Sequence, residues 1–444
     1  MIAPPTIGGT VSGFLRERGG AINTFKSLGH ITKIIGMTVE SCGPMASVGD
    51  LVSIKGAGGG GEKFAEVAGF RDNRVLLFPF DSIDGVRNGD RVELVGEGFT
   101  INVGEHLLGR VVDGIGRPID NLGPLSGGRA WKVRRDAPDS MSRPRIKEPF
   151  LTGVRAIDSA LICGKGQRMG IFAGSGVGKS SLLGMICRNS VSELNVIALI
   201  GERGKEVVEF LEDSLGEEGL AKSVVIVTTS DRPALQRVKG AEVAMSIAEF
   251  FRDAGHDVLF VMDSVTRYAM AQREIGLAVG EPPATKGYPP SVFSLLPRLM
   301  ERAGTNQRGS ITAFFTILVE GDDMNDPIAD TARGILDGHM VLSRDLAAEG
   351  HFPAIDILPS VSRVIGDVAT REHVQLARGL RKLIAVYRKA EDMINIGAYK
   401  AGSNPEIDMA ISKRKSIEDF LIQGLEENNP WEQTYEMLKA ILTR

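Results

Sequence analysis

The sequence predicts an α/β fold: a mostly parallel sheet, preceded by a small β-barrel and followed by a helical C-terminal region. Three patterns carry that expectation. Between Arg168 and Ser343, near-continuous apolar runs alternate with helical stretches, as parallel strands covered on both faces require. From Ile31 to about Val95, short apolar runs are split by glycines, the spacing of a small closed or half-closed barrel. After Arg371, Leu376, Leu380, Leu383, Tyr387 and Ile394 recur at helical spacing.

Taken in order, residues 1–30 hold little that could enter a core and read as a terminal arm. Residues 31–98 form the barrel, its strands drawn from "ITKIIGMTVE", "DLVSIKG", "FAEVAGF", "RVLLFPF" and "DRVELVG". The tract Gly56–Lys63, "GAGGGGEK", is a loop of low complexity. A polar bridge, Arg135–Asp158, leads into the central region, assigned to 99–370, whose strand candidates are "RMGIFAG", "NVIALIGE", "SVVIVTT", "DVLFVMDS" and "ITAFFTILVE". Residues 371–444 form the helical C-terminal domain. Its second helix runs from about Ile407 to Gln423, after the turn "GAYKAGSNPE". No internal repeat is visible.

The chain has 444 residues and a formal net charge of −4, which makes nucleic acid a poor default partner. Cys42, Cys163 and Cys187 follow no metal-ligand or disulfide spacing and read as reduced thiols in a cytosolic protein. No signal-peptide pattern and no long uncharged apolar run occurs. Docking on a membrane complex stays open.

The stretch "IFAGSGVGKSSLLGMI" names the chemistry. A strand runs into a glycine-rich turn, then Gly178-Lys179-Ser180, then a helix. Gly174, Gly176 and Gly178 let backbone N–H groups, with those of Ser175, Val177 and Ser181, curl around phosphate oxygens. The helix N-terminus adds its dipole. Lys179 reaches the terminal phosphates and the Ser180 hydroxyl can ligate Mg²⁺. The first position of the motif is Ala173 where glycine is usual. The alternative is a chance glycine-rich turn, which the flanking strand and helix disfavour.

Two acids complete a hydrolytic site. Asp263 ends the run "DVLFVMD" and can hold Mg²⁺ through water. It also reads as a helix N-cap, since Ser264 and Thr266 follow. Glu202 ends another apolar run, where a carboxylate beside the loop can orient an attacking water. It could instead form a surface ion pair with Arg203 or Lys205.

At these residues the chain resembles the ring-forming ATPases related to the alpha and beta catalytic subunits of rotary ATP synthases. The motifs "AGSGVGKS", "GERGKEV", "VMDSVTRYA" and "PAIDILPSVSR" carry the likeness, from about Ile31 to the C-terminus. Within that group, "GERGKEVVEFLED" and the stretch from Asp263 to Gly304 are similar to the protein-export ATPases of flagella and type III secretion, the flagellar branch more than the injection branch. The resemblance implies a RecA-like P-loop ATPase core that hydrolyses ATP with Mg²⁺ to energise protein export. It implies that Glu202 is the catalytic carboxylate, that Arg203 contacts the terminal phosphate, and that Arg363 is an arginine finger reaching a neighbouring subunit. Phe352 stands where such chains carry an aromatic that stacks on adenine. Arg363 could also be a solvated surface arginine, and Phe352 a core residue.

A chain with both Glu202 and Arg363 needs no second subunit type, so the resemblance implies a homo-oligomer, a hexameric ring closed head to tail. "VGEPPATKGYPP" and "EGDDMNDP" would face its central channel. With "GAYKAGSNPE", they are candidates to meet a central-stalk-like coiled-coil protein. A stator-like regulatory protein, a membrane export gate and chaperone–substrate complexes are the other implied partners, with no nucleic acid. The implied place is cytoplasmic, docked at the inner face of the cytoplasmic membrane. Two rivals remain. A Rho-like RNA translocase would need a basic, aromatic-studded N-terminal module, and a non-catalytic rotary ATPase subunit would lack Glu202.

Overall fold

The computed structural model describes residues 27–56, 61–319, 321 and 323–443. Most of the expected arm, the tip of the Gly56–Lys63 loop and part of "EGDDMNDP" lie outside the described residues. The chain divides into two compact units, 1–99 and 100–444.

The first unit is a closed six-stranded barrel. Around it run Leu28–Ile35, Thr38–Cys42, Arg74–Pro79, Glu62–Arg71, Leu51–Lys55 and Arg91–Gly96, each paired with the next and the last with the first. The first strand begins inside the expected arm. Ile31, Val39, Val52, Ile54, Val67, Leu77 and Val92 alternate inward and fill the barrel. One hairpin turns at Asp72-Asn73, both with positive φ (46° and 61°). That is the turn whose twist matches the strands it joins, and Asp and Asn tolerate it best.

The second unit is built on a sheet in the order Ile355–Ser362, Gly338–Leu342, Arg168–Ala173, Ser310–Leu318, Asp257–Asp263, Leu194–Ile200, Ser223–Thr228, Val111–Asp113. All neighbours on this path are parallel except the first pair. The five foreseen strands are present. Gly338–Leu342, Ile355–Ser362 and Val111–Asp113 were not foreseen; Ile355–Ser362 holds most of "PAIDILPSVSR". Pro359 lies within it, and proline is tolerated there because the strand is at the sheet's edge.

In this order the strand Arg168–Ala173 is not beside Leu194–Ile200, its successor in sequence. Two strands lie between them. The chain must therefore cross over, and the C-terminal ends of the parallel strands open a crevice where ligands bind in such sheets.

The C-terminal helices are Arg371–Asn395, Pro405–Leu421 and Trp431–Thr443, the third unforeseen. Thr370 and Asn404 cap the first two, accepting from backbone N–H groups of the first turn. Leu380, Ile417, Phe420 and Leu438 share one apolar cluster with Ile171 and Phe314 of the sheet. The helical segment therefore packs within the second unit. Cys163 and Cys187 are buried there, while Cys42 is exposed on the barrel. Among the described residues no helix is long and apolar enough to cross a membrane.

Candidate active site

The loop between Ala173 and Lys179 leaves the C-terminal end of a central strand and enters the helix Lys179–Asn189. Gly178 is the residue before that helix and sits in the left-handed region, φ 81°. A side chain would be strained there by the backbone conformation, and its Cβ would crowd two ring carbons of Phe352 at 3.2 Å. Gly174 is closed by a different neighbour: a Cβ there would lie 2.6 Å from Arg344 Nε. Val177 is buried and anchors the loop, while Ser175, Gly176 and Ser180 are exposed at its mouth and Ser181 is half-buried.

Three charged groups from three segments converge beside the loop. Lys179 Nζ donates to Asp263 Oδ1 at 2.6 Å and lies 3.7 Å from Glu202 Oε1. Burial pulls the Lys179 ammonium down, but the charges of Asp263 and Glu202 outweigh it and hold its pKa above the ordinary lysine value. Asp263, 4% exposed, also accepts from Thr316 Oγ1 at 2.8 Å. The N-cap duty open to Asp263 falls to Ser264, which accepts from Arg267 N at 3.4 Å. Asp263 is thereby left to the lysine.

Glu202 makes no pair with Arg203 or Lys205. Those bridge to Glu206 and Glu209, each at 3.3 Å. Burial, reinforced by the Asp263 charge and by a carboxyl–carboxyl hydrogen bond with Glu206, pushes the Glu202 carboxyl up to about 7. The hydrogen bond and the local backbone hold Glu206 below its ordinary value. Glu202 Oε1 is buried with no hydrogen-bond partner. Such an orphaned acceptor is costly unless something in the working state donates to it.

The other expected residues lie apart from this trio. Arg203 is highly exposed at the start of the helix Gly204–Glu209. Arg363 follows the edge strand, exposed, its guanidinium 3.4 Å from Arg333 O. Phe352 is 39% exposed with its ring against Gly178, so it is not a core residue. Sequence reasoning missed Thr316, Glu206 and Arg344. Thr316 and Arg344 come from segments far from the loop in sequence, while Glu206 lies within "GERGKEV", where no spacing marks it as the partner of Glu202.

A phosphate loop at the open end of a parallel sheet, with a lysine and two carboxylates at its mouth, defines the class: a P-loop ATPase. Within that class, the chain belongs to the ATP synthase alpha/beta family. The nucleotide-binding domain of that family matches residues 153–362 and its beta-barrel domain residues 31–96. A type III secretion ATPase C-terminal domain matches residues 369–440.

The chain is 52% identical over 420 residues to the flagellum-specific ATP synthase of Bacillus subtilis, covering 94% of this chain and 96% of that one. It is 47% identical to the type 3 secretion system ATPase of Xanthomonas euvesicatoria, covering 93% of each. Among solved structures, the assembled ATPase EscN of enteropathogenic E. coli superposes with a TM-score of 0.88 at 49% identity, over 93% of this chain and all of that one. EscN in complex with its central stalk EscO gives 0.87 at 48%.

Proposed function

We propose that this ATPase hydrolyses ATP to energise protein export through a flagellar-type secretion apparatus. One observation carries the catalytic part of the reading: Lys179, Asp263 and a Glu202 oxygen that accepts no hydrogen bond meet at the mouth of one chain's phosphate loop. The likeness to flagellar and type III secretion ATPases over more than nine-tenths of the chain supports the export part.

The residues fit both ligands. Backbone N–H groups from Gly174 to Ser181 cradle the phosphates, and Lys179 shifts part of its bonding from Asp263 to the terminal ones. The Ser180 hydroxyl and the Asp263 carboxylate are hard oxygen donors of the kind Mg²⁺ prefers. When bound, Mg²⁺ would neutralise charge between the terminal phosphates. Glu202 accepts a proton from the attacking water through its unpartnered oxygen. Phe352 offers its exposed ring to the adenine.

Arg203 and Arg363 complete the set as phosphate contact and trans finger. The edge position of the strand before Arg363 supports reach outward. A homo-oligomeric ring follows, with a central-stalk-like protein as its partner; EscN is found assembled and in complex with its central stalk EscO. A stator-like regulator, an export gate and chaperone-bound cargo are its further partners, at the inner face of the cytoplasmic membrane.

The test pairs two measurements. Purified chain should release phosphate from ATP only with Mg²⁺, and Lys179→Ala should abolish release. In a host lacking the gene, the wild type should restore flagellar hook-protein secretion and Glu202→Gln should not. Turnover without restored secretion would leave an ATPase with a different task, while RNA-stimulated turnover would revive the translocase.

A further inference from the structure

Phe352 is the residue offered to the base, and it is 39% exposed. Its backbone is fixed from elsewhere. Gln423, in the link between the helices ending at Leu421 and beginning at Trp431, donates its backbone N–H to Phe352 O at 2.9 Å. The Gln423 side chain is itself fully engaged. Oε1 accepts from Arg155 N at 2.8 Å, and Nε2 donates to Gly153 O at 2.9 Å and Glu427 O at 2.8 Å. The residue is 3% exposed. A buried amide with every bond satisfied is a rigid fixture.

The link is held to the nucleotide-binding core at further points. Arg155, itself buried, donates Nε to Phe420 O at 2.8 Å and Nη1 to Asn429 Oδ1 at 2.6 Å, and also bonds Glu427 and Ile422 O. Arg188, in the last turn of the helix that begins at Lys179, donates to Leu425 O at 2.6 Å. The segment is thus fastened to the far end of the phosphate-loop helix and, through Gln423, to the residue whose ring lies on Gly178.

We propose that Gln423 is a positioning residue for base recognition: it sets where the Phe352 ring stands beside the phosphate loop, and so the face that ring offers to the adenine. The proposal rests on the reading of Phe352 as the base-stacking residue. Gln423 touches neither phosphate nor the reacting atoms, so its influence falls on the base alone.

That division supplies the test. ADP and pyrophosphate occupy the same loop, but only ADP has a base. Their affinities are measured by titration calorimetry on the full chain for wild type, Phe352→Ala, Gln423→Ala, Gln423→Glu and the Phe352→Ala/Gln423→Ala pair. Gln423→Glu keeps size and the Arg155 contact but turns a donor toward two carbonyls into an acceptor. It carries the test if Gln423→Ala does not fold.

Phe352→Ala should weaken ADP by roughly 5- to 150-fold, the span of one lost stacking contact. The Gln423 variants should weaken it measurably, and by no more than Phe352→Ala does, because they act only through that ring. In the Gln423 variants pyrophosphate affinity should not move and kcat at saturating ATP should stay within about twofold, and the double variant should bind ADP no worse than Phe352→Ala. Equal loss on both ligands would make Gln423 merely structural and overturn the proposal. So would no loss on either, or a full further loss in the double variant. If Phe352→Ala binds ADP as the wild type does, the stacking reading fails and takes the proposal with it. A selective loss in Phe352→Ala with none in the Gln423 variants sinks the proposal alone.

Discussion

Between pH 8 and pH 6, kcat/KM for ATP should fall about tenfold, and Glu202 is the reason. Its carboxyl titrates at about 7 because burial and the nearby Asp263 charge penalise the anion. Only the anion can take a proton from water. It makes up about nine-tenths of the population one unit above the pKa and about one-tenth one unit below. Since kcat/KM reports the free enzyme's groups, the acid limb should centre near 7. Glu202→Gln should lower turnover by about two to four orders of magnitude, and its residual activity should lack that limb.

The same substitution has a stability signature. The unfolded carboxyl ionises near 4.5 and the folded one near 7, so across that window the folded state binds more protons. Stability contributed by this group is full below the lower value and is lost as pH rises through the upper one. At pH 8, then, Glu202→Gln should melt no lower than wild type, since Lys179 keeps its 2.6 Å partner Asp263. The assay is phosphate release at subsaturating ATP across buffers of constant ionic strength, with ADP affinity measured at each pH to separate binding from chemistry. A flat wild-type profile, or an acid limb that survives in Glu202→Gln, would refute the assignment.

Glu206→Gln should move that limb to lower pH, because the hydrogen bond and charge of Glu206 both raise Glu202; the same pH series reads it. Glu249→Ala should cost about 3–5 kcal/mol of folding stability, read as a lower urea midpoint. It strands the buried Arg302 guanidinium, which Glu249 holds through bonds of 2.9 and 2.8 Å. Mixing Glu202→Gln with Arg363→Ala in equal amounts should recover phosphate release above either alone, since about a quarter of head-to-tail interfaces would then be complete. No recovery despite subunit exchange confirmed by fluorescence transfer would count against independent shared sites.

The phosphate loop was legible because one contiguous stretch holds its strand, turn and helix. Asp263 and Glu202 were legible as ends of apolar runs, but not as partners of Lys179. The choice between cap and ligand for Asp263 turned on where the Ser264 hydroxyl points, which no spacing reveals. The strand Gly338–Leu342 is short and interrupted by His339, and Ile355–Ser362 contains a proline, so neither shows a clean strand period. Thr316, Arg344 and Gln423 reach the site from remote segments. Only the crossing order of the sheet and the packing of the last helices bring them in.

The three cysteines, finally, hand the experimenter a native handle. Burial pushes the Cys187 thiol up to about 12 and raises Cys163 well above its ordinary value, so neither offers thiolate or access to a maleimide. Cys42 is exposed at the end of a barrel strand, and the sequence holds no fourth cysteine. Under native conditions the unaltered chain should therefore take up one dye per molecule, on the barrel and remote in sequence from the phosphate loop. Donor- and acceptor-labelled pools made this way would report ring assembly without engineering a single residue.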